Sequence, residues 1–562
     1  MYRAALAETS PPIGGDEALA VAISEVAGRL RECGRSRDAV DWYRRALRSA
    51  PASAELYTSL GAAWMDVGNN REARAALQRA VQLDPGLWMA HCNLATLLHK
   101  GGDLREALQA YRRASVLNPG FIYPLVQALC LARELISWDH WEADLQALRG
   151  LAPQPGNTAP QLDLLFLPLT ALQLRNHAEA YAAECLARTD ITPPIRVPHP
   201  VRGRRIRIGY VSDELRGHAV GSLVAEVFEL HDPRRFDVRV YCWGRDDGSV
   251  TERRVRAAVP AMVDIGSLTN RQAAERIAAD GIDILVDLKG YTERPRTEIF
   301  AYRPAPVQVN WLGFPGTLGA AYFDYVIADE FIVPPGAEQG YTESVLRLAD
   351  TYQPNDRRRP IATPKSRAAY GLPADATVYC YLGKASKITP ETFDDWMKIL
   401  MAVPESVLWM LVERPETRSA LVEAARQRGI AAKCLVFCGG LPFTEHIARF
   451  KVADIALETS PYGSHTTASE ALWAGCPLIA LAGDTFASRV SGSLLTAAGM
   501  GELVTTDAAA YRALAVELGS DRQRCATLRS RIERTRDTCA LFDTPRFVRS
   551  LEAAFESLCA EG

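Results

Sequence analysis

The chain has 562 residues, of which 48% are hydrophobic and 23% charged, and its formal net charge at pH 7 is −3. Such a composition is typical of an ordinary globular protein, and the length allows about three or four domains. A nearly neutral chain has no electrostatic field that would attract nucleic acid or an anionic membrane, so we expect neither as a partner.

The sequence also carries signals about its compartment. No apolar run approaches the roughly 18 residues that a membrane-spanning helix needs, and the N-terminus lacks the basic and apolar segments of a signal peptide. The 12 cysteines are scattered without a C-x-x-C pair, which indicates reduced thiols rather than disulfides or zinc ligands. We therefore expect a cytoplasmic protein.

The N-terminal part of the chain is repetitive, because its glycines at 34, 68 and 102 lie 34 residues apart. Small residues let two helices approach closely, and a proline after the second helix ends each unit. The pattern predicts tetratricopeptide helix pairs over 20–53, 54–87 and 88–121. The residues that recur at this interval are Gly34, Gly68 and Gly102; Ala39, Ala73 and Ala107; Ala46, Ala80 and Ala114; and Pro51, Pro85 and Pro119.

Degenerate or capping helices are expected to continue this array, which we assign to residues 1–192. An open solenoid end exposes its core, and Trp138, Trp141 and the apolar stretch 162–174 are suited to cover it. A solenoid also offers an extended concave groove, which we expect to bind partner polypeptides.

A proline-rich connector at 193–200 leads to a different pattern, in which short β-branched runs alternate with amphipathic helices. This alternation predicts a parallel sheet with crossover helices, a Rossmann-like domain over 201–355. After a link at 355–365 that we expect to be disordered, a second such series predicts another Rossmann-like domain over 366–562. The runs predicted as strands are 206–211, 237–243, 282–288, 307–312 and 324–328, then 377–382, 406–411, 433–437, 454–457, 477–481 and 502–504.

Two Rossmann-like domains in tandem predict a ligand cleft, because ligands bind at the carboxyl ends of parallel strands. In the first domain His218, Asp287 and the segment WLGFPG at 311–316 follow such strand ends. In isolation His218 is equally consistent with a helix cap or a surface residue. Gly313 and Gly316 let the backbone approach a ligand, although they could also be simple turn residues.

In the second domain Lys384 and Lys387 lie one turn apart near a predicted helix start. The helix dipole opposes positive charge at that end, so two lysines there are unexpected unless an anion bridges them. We therefore expect a phosphate near this pair.

The most informative stretch is GSHTTASEAL at 463–472, where a loop is predicted to turn into a helix. A helix start has unbonded N–H groups and a positive dipole end, so His465, Thr466 and Thr467 predict a seat for a diphosphate. Glu470, about one turn further on, is placed to accept hydrogen bonds from ribose hydroxyls.

The alternative is a plain helix cap made by Ser464 or Thr466. The continuation favours a ligand site, because a Gly-Cys-Pro break at 475–477 leads into a buried strand at 478–481, as in half of a Rossmann unit. A last helix over 544–558 is expected to pack back across the first domain.

Taken together, these features resemble the O-GlcNAc transferase family, specifically a bacterial homologue, over essentially the whole chain. The resemblance implies a tetratricopeptide array followed by the two-domain GT-B glycosyltransferase fold. It also implies an inverting, metal-free transfer of GlcNAc from UDP-GlcNAc to Ser or Thr hydroxyls of proteins, with no cofactor. Besides the repeats, the segments that carry the resemblance are 207–223, 304–320, 379–390 and 463–490.

The resemblance also assigns roles to individual residues. It implies that His218 is a base or a substrate-orienting group, that Lys387 contacts the diphosphate, and that Asp287 lies near an aspartate implicated in activity. In LPFTEHIAR at 441–449 it places His446 beside the uracil, and it places Gly313 and Pro315 against the sugar. The substrate-binding residues that it implies are Lys384, Leu441, His446, Ile447, Arg449, His465, Thr466, Thr467, Glu470, Gly313 and Pro315.

Four positions depart from the animal members of the family and leave the donor sugar open. Animal enzymes carry Gln, Tyr, Lys and Asp where this chain has Lys384, Ser386, Phe443 and Glu470. Relatives with the same architecture use GDP-fucose or UDP-glucose instead. Between 352 and 365 the chain is also too short for the extra domain of the animal enzymes.

A scaffold with an inactive transferase half and a sugar-nucleotide epimerase are the rival interpretations. The two lysines and the complete His-Thr-Thr loop disfavour the scaffold, and an epimerase has little use for a repeat array. We expect no metal site, because Asp246 and Asp247 are contiguous and followed by Gly248, which suits a turn.

Overall fold

A computed structural model of the chain describes residues 16–195, 197 and 203–560. Parts of the predicted connector and the first residues of the 201–355 domain lie outside the described residues, as does the N-terminal segment for which no signal peptide is predicted. The contacts divide the chain into two compact units, Met1–Ala152 and Pro153–Gly562.

The first unit consists of helices joined in consecutive pairs, and the three predicted repeats are confirmed. Each predicted unit contains one pair, and the next two helices continue the series. The helices are Asp16–Glu32, Ser36–Ser49, Ala54–Val67, Asn70–Leu83, Trp88–Gly101, Leu104–Leu117, Ile122–Glu134 and Trp141–Arg149.

The repeated small residues explain this regularity. Gly34, Gly68 and Gly102 follow the first helix of each pair with φ angles of 73°, 83° and 85°, a left-handed conformation that glycine adopts without a steric penalty. The repeated alanines have no exposed surface and lie where the helices meet. They are Ala39, Ala46, Ala73, Ala80, Ala107 and Ala114.

The second unit contains two larger parallel sheets, as the alternating pattern predicts. The first has the order β3-β2-β1-β4-β5-β6-β7. Its strands are β1 Ile206–Val211, β2 Phe236–Cys242, β3 Met262–Asp264, β4 Ile284–Asp287, β5 Val307–Asn310, β6 Tyr325–Asp329 and β7 Ser344–Leu348. The two edge strands, β3 and β7, escaped the sequence analysis because they are only partly buried and lack a continuous apolar run.

The second sheet has the order β10-β9-β8-β11, and a short parallel pair, β12-β13, follows it. The strands are β8 Thr377–Tyr381, β9 Ser406–Leu411, β10 Leu435–Cys438, β11 Ile455–Ala456, β12 Ala480–Leu481 and β13 Val504–Thr505. All six fall on or next to the predicted runs.

The helices of the second unit surround these sheets. They are Gln161–Leu165, Ala171–Ala187, Ala219–Leu230, Val250–Ala258, Asn270–Ala279, Glu298–Ala301, Pro390–Ala402, Pro415–Gln427, Phe443–Arg449, Thr466–Trp473, Phe486–Ala497, Ala508–Ser520, Arg522–Thr535 and Thr544–Ala560. Short 3₁₀ turns lie at Glu338–Gly340, Ala368–Tyr370, Ala385–Lys387, Ala432–Cys434, Phe450–Val452, Gly501–Leu503 and Ala540–Phe542.

The helices at 161–165 and 171–187 pack on the first sheet's domain. Leu165 and Ala182 belong to the same apolar cluster as Phe314 and Leu318. The contacts therefore change from one unit to the other after Ala152, whereas the sequence pattern places the end of the array at 192. The apolar stretch 162–174 explains the difference, because it supplies a buried face for the α/β domain.

The expectation of disorder at 355–365 is wrong at its start. Asn355, Asp356 and Arg359 are buried, and Asp356 forms an ion pair with Arg254. Charged and polar residues made the segment look solvated in sequence, but each of these side chains has a partner.

The last helix, Thr544–Ala560, returns to the first domain as expected. Its Glu552 accepts a hydrogen bond from the Asp232 N–H at 2.9 Å and lies 3.1 Å from Nδ1 of His231. None of the helices in the described part of the chain is long and apolar enough to span a bilayer. The twelve cysteines, all described, form no disulfide.

Candidate active site

The predicted phosphate loop leads into the helix Thr466–Trp473, whose N-cap is His465. This helix start has no side-chain capping hydrogen bond, so neither Ser464 nor Thr466 acts as the plain cap of the alternative interpretation. The N–H groups of Thr466 and Thr467 are therefore available to an anionic ligand, whereas that of Ala468 donates to the His465 carbonyl oxygen.

His465 itself is held by the neighbouring helix. Its Nε2 lies 3.0 Å from the carbonyl oxygen of Ala487, so Nε2 carries the proton and donates it. Burial lowers the pKa of His465 to about 3, and the ring is neutral at physiological pH. The imidazole thus fixes the loop, and the threonine hydroxyls and the helix start are the groups left to donate to the predicted phosphate.

Lys387 points its ammonium group towards this loop. Its Nζ donates a hydrogen bond to the carbonyl oxygen of Gly463 at 3.0 Å and lies 4.2 Å from the ring centroid of Tyr462. Burial lowers the pKa of Lys387 to about 7, and the carboxylate of Glu458 acts against that shift. This lysine is therefore adjacent to the loop that the sequence predicts for the diphosphate.

The lysine pair does not lie inside a helix. Lys384 precedes the 3₁₀ turn Ala385–Lys387, and the helix begins only at Pro390, with Thr389 as its N-cap. The dipole effect fades within the first turn. Burial, rather than the dipole, is therefore the main cause of the unfavourable environment of Lys387.

Glu458, which was not predicted from the sequence, stabilises this loop through several hydrogen bonds. It follows β11, is 2% exposed, and accepts hydrogen bonds from the N–H groups of Ser464 at 2.6 Å and Leu481 at 3.1 Å. The Ser491 hydroxyl also donates to it. Burial raises the pKa of Glu458 to about 7. The only sequence signal was an acidic residue placed directly after a buried strand.

The residues implied in nucleoside binding also come together. His446 Nε2 lies 3.2 Å from Glu470 Oε2, and the Arg449 guanidinium contacts His446 Nδ1. Since arginine only donates, Nδ1 accepts and Nε2 donates to the carboxylate. Arg449 also donates to the Gly439 carbonyl oxygen at 2.9 Å, while its buried Nε has no partner among the described residues.

Two other residues of this segment have different surroundings. Ile447 has no exposed surface and packs in the core of the domain. Leu441 precedes the helix Phe443–Arg449 and is partly exposed. Phe443, at the first position of that helix, is 42% exposed.

In the first domain His218 is the N-cap of the helix Ala219–Leu230, as one of the alternatives predicts. Its Nδ1 accepts a hydrogen bond from the Val220 N–H at 3.4 Å and lies 3.4 Å from Glu214 Oε2. The side chain is 44% exposed. Burial of the ring lowers the pKa of His218, and Glu214 opposes that shift.

The position of the proton decides what His218 can do. A proton on Nδ1, favoured by the Glu214 carboxylate, leaves Nε2 as an acceptor, which a general base needs. The capping bond from Val220 instead puts the proton on Nε2, which would then orient a hydroxyl by donating to it. Both contacts have the same length.

A buried charge cluster lies behind His218. Lys289 Nζ is 2.6 Å from Asp213 Oδ1 and 2.9 Å from Glu214 Oε1, and all three side chains are nearly inaccessible. Asp287 accepts a hydrogen bond from the Lys289 N–H at 2.9 Å, while its Oδ2 has no partner among the described residues. Burial raises the pKa of Asp287 to about 6.

The cluster forms because β1 and β4 are neighbours in the sheet. Val211 pairs with Asp287, so the residues that follow both strands meet at one edge. Asp213, Glu214 and Lys289 were not selected from sequence. Their position directly after two strands was the available signal.

Gly313 and Pro315 follow β5, next to this edge. A side chain at Gly313 would collide with the carbonyl group of Leu288, so packing against backbone already requires glycine there. The preceding Leu312 has a φ angle of 72°, which is unusual for a non-glycine residue. Pro315 lines a small cavity that Leu165 and Leu174 also border.

The described ranges contain no group of three or more His, Cys, Asp or Glu side chains that could hold a metal ion. The Lys387 ammonium lies at the phosphate loop, and Lys384, which is exposed, is close enough to Lys387 to disfavour its charge.

Comparisons with known proteins agree with this architecture. The model of Glycosyl transferase family 41 matches residues 157–364 and 361–551, and a tetratricopeptide repeat model matches 29–87 and 63–120. The solved structure of a lysine-to-methionine mutant of the Thermobaculum terrenum O-GlcNAc transferase is 31% identical. It covers 98% of this chain and 99% of its own, with a TM-score of 0.68. The predicted tetratricopeptide and GT-B fold is confirmed.

Two curated relatives are longer proteins. A probable UDP-N-acetylglucosamine–peptide N-acetylglucosaminyltransferase of Arabidopsis thaliana is 33% identical over 401 residues, which are 69% of this chain and 41% of the relative. The UDP-N-acetylglucosamine–peptide N-acetylglucosaminyltransferase of Caenorhabditis elegans is 28% identical over 463 residues, covering 62% of this chain and 40% of the relative. The chain thus spans about two fifths of the length of these relatives.

Proposed function

Because the chain belongs to glycosyltransferase family 41, we propose that it transfers GlcNAc from UDP-GlcNAc to Ser or Thr hydroxyls of proteins, with inversion of the anomeric carbon. The observation that carries the proposal is the arrangement at the phosphate loop. The Lys387 ammonium is bonded to Gly463, two residues before the uncapped helix start at His465. Relatives named as UDP-GlcNAc–peptide transferases support the choice of donor.

The proposed reaction is a single in-line displacement. The acceptor hydroxyl attacks the anomeric carbon from one face, its proton is lost to a base, and UDP leaves from the other face. Negative charge grows on the leaving diphosphate. It is stabilised by the Lys387 ammonium, by the hydroxyls of Thr466 and Thr467, and by the N–H groups of the helix start. Preorganised donors of this kind are worth a few kcal/mol each in a transition state. His218 is the residue we assign to the acceptor hydroxyl, as base or as orienting group.

The nucleoside is assigned to the neighbouring cluster. His446, fixed between Arg449 and Glu470, offers a flat ring to the uracil, and Glu470 offers carboxylate oxygens to the ribose hydroxyls. We assign the protein acceptor to the groove of the repeats, and the reaction to a reducing cytoplasmic compartment, in keeping with cysteines that form no disulfide.

The test is a transfer assay with the full chain and a mixture of candidate acceptor proteins. UDP-GlcNAc, UDP-glucose and GDP-fucose are supplied in separate reactions, and intact-mass spectrometry detects the added sugar. We expect a GlcNAc increment with UDP-GlcNAc alone, located on Ser or Thr. Transfer of fucose or glucose would mean that the enzyme uses GDP-fucose or UDP-glucose as its donor. The absence of both sugar transfer and UDP binding would favour a scaffold.

Turnover is also expected to be independent of divalent metal, since fixed cations and helix N–H groups meet the charge of the leaving diphosphate. Release of UDP, followed with and without excess EDTA, should proceed at the same rate. A loss of activity that Mn²⁺ or Mg²⁺ restores would refute this account of the leaving group.

A further inference from the structure

The ring of Tyr462 lies at the centre of a set of contacts that the transfer chemistry does not by itself require. It stacks on Phe166 with the ring centroids 4.4 Å apart and on His465 with the centroids 4.5 Å apart, at interplanar angles of 26° and 21°. The Lys387 ammonium lies 4.2 Å from its centroid. One aromatic ring thus connects the segment after Gln161–Leu165 with the phosphate loop.

The environment of Lys387 explains why such a ring matters. Within the described part of the chain its ammonium has one hydrogen bond, to the Gly463 carbonyl oxygen, and burial lowers its pKa. The negative face of an aromatic ring attracts a cation and so favours the charged form of the lysine. A diphosphate needs that charged form.

We propose that Tyr462 is a positioning residue, whose ring, held by Phe166 and His465, keeps the Lys387 ammonium charged and in place for the diphosphate. The role in catalysis rests on the proposed transferase function. The effect on the pKa of Lys387 does not rest on that function, because Tyr462 contacts Lys387 in the unliganded protein.

Other groups near Lys387 also influence its pKa. Glu458, from the end of β11, favours the ammonium, and Lys384, from the same turn, disfavours it. His465 is neutral and acts through its ring, and burial raises the pKa of Tyr462 far above its usual value, so its hydroxyl is also neutral. Removing the ring therefore leaves the Glu458 carboxylate and the Gly463 carbonyl oxygen as groups that favour the charged lysine.

The first measurement follows the pKa of Lys387 directly, by NMR of protein labelled with ¹³C at the lysine side chains. The chain has eight lysines, and the Lys387→Arg variant identifies the resonance. Tyr462→Leu should lower the pKa of Lys387 by about one unit, whereas Tyr462→Phe, which keeps the ring, should retain the wild-type value. Phe166→Leu should give a smaller shift in the same direction.

The second measurement is UDP affinity by calorimetry between pH 6 and pH 9. We expect Tyr462→Leu to weaken UDP binding about tenfold near pH 8 and little at pH 6, with the profile of Tyr462→Phe following the wild type. Lys387→Arg in the Tyr462→Leu background should remove the difference in pH dependence from the wild type, because a guanidinium does not titrate there; the titration of Glu458, whose pKa is about 7, is common to all variants.

Several outcomes decide the matter. An unshifted Lys387 pKa in folded Tyr462→Leu overturns the proposal, even in a protein that transfers sugar. An equal loss of UDP affinity at every pH also overturns it, since that indicates a structural role. A shifted pKa in a protein that binds no UDP upholds the contact and refutes the proposed transferase. If Tyr462→Leu does not fold, Phe166→Leu decides by the same pKa criterion.

Discussion

At the scale of single residues, Lys387 lies where burial disfavours its charge and next to the loop that we assign to the diphosphate. Its pKa in the unliganded protein is lowered to about 7, so above that pH the neutral amine is preferred. A bound diphosphate favours the ammonium, and binding above pH 7 must draw a proton back. UDP affinity should therefore fall as the pH rises above about 7, and calorimetry in buffers of different ionisation enthalpy should detect proton uptake.

The same residue should dominate the rate. Lys387→Ala is expected to lower turnover by about 10² or more and to change UDP-sugar affinity less, because a fixed cation stabilises the leaving group most in the transition state. Single-turnover kinetics and calorimetry separate the two effects. Lys398→Ala, on the exposed side of the next helix, is the matched control. A folded Lys387→Ala protein with normal turnover would remove this residue from the mechanism.

A third prediction at this scale concerns the proton on His218. Glu214 opposes the lowering of the pKa of His218, so Glu214→Gln should lower that pKa and move the acidic limb of the kcat/KM profile to lower pH. Asp213→Asn breaks the same Lys289 ion-pair cluster without contacting His218 and should move the limb less. Identical pH profiles for both variants would mean that Glu214 acts only as a partner of Lys289.

At the scale of elements, the helix Thr466–Trp473 and its loop form the unit that should bind the diphosphate. Thr466→Val combined with Thr467→Val should weaken UDP binding by roughly 2–3 kcal/mol, if two phosphate hydrogen bonds are lost. Calorimetry measures this loss, and Thr527→Val, at an exposed position of the helix Arg522–Thr535, serves as the control. An affinity equal to that of the wild type would exclude this helix start from the site.

The elements also show how far sequence reasoning reaches. Long buried runs such as those of β1, β8 and β9 have only one favourable environment, so their strands could be predicted. The edge strands β3 and β7 could not, because partial exposure leaves no clear period. The repeat helices could be predicted because the 34-residue interval defines both the glycines at which helices end and the alanines at which they pack.

The site divides in the same way. The His-Thr-Thr loop and the lysine turn were visible because each lies within one short segment. Glu458, Lys289 and Tyr462 were not, because their roles depend on partners far away in sequence, such as Ser491 for Glu458 and Asp213 for Lys289. The pairing of β1 with β4 brings Lys289 next to Asp213. Glu458 and Tyr462 follow β11, which pairs with β8, the strand that precedes Lys387.

At the scale of the whole molecule, the division after Ala152 separates two units whose cores are built differently. The repeats form a core between successive helices, with buried alanines at fixed intervals, while Pro153–Gly562 contains both large sheets and every residue assigned to the donor. Donor binding should therefore depend on the second unit alone. Recognition of a protein acceptor is the task that we assign to the repeats, because a solenoid provides an extended concave surface.

Removing residues 1–152 should consequently impair transfer to proteins much more than UDP binding. Thermal denaturation and calorimetry establish that the remaining unit is folded and binds UDP, and mass spectrometry compares its transfer rates with those of the full chain. Hydrolysis of UDP-GlcNAc, in which water replaces the protein hydroxyl as acceptor, should persist because it requires no acceptor groove. If the shortened protein modified the same proteins at the same rate, acceptor recognition would have to lie within Pro153–Gly562, and the repeats would serve another interaction.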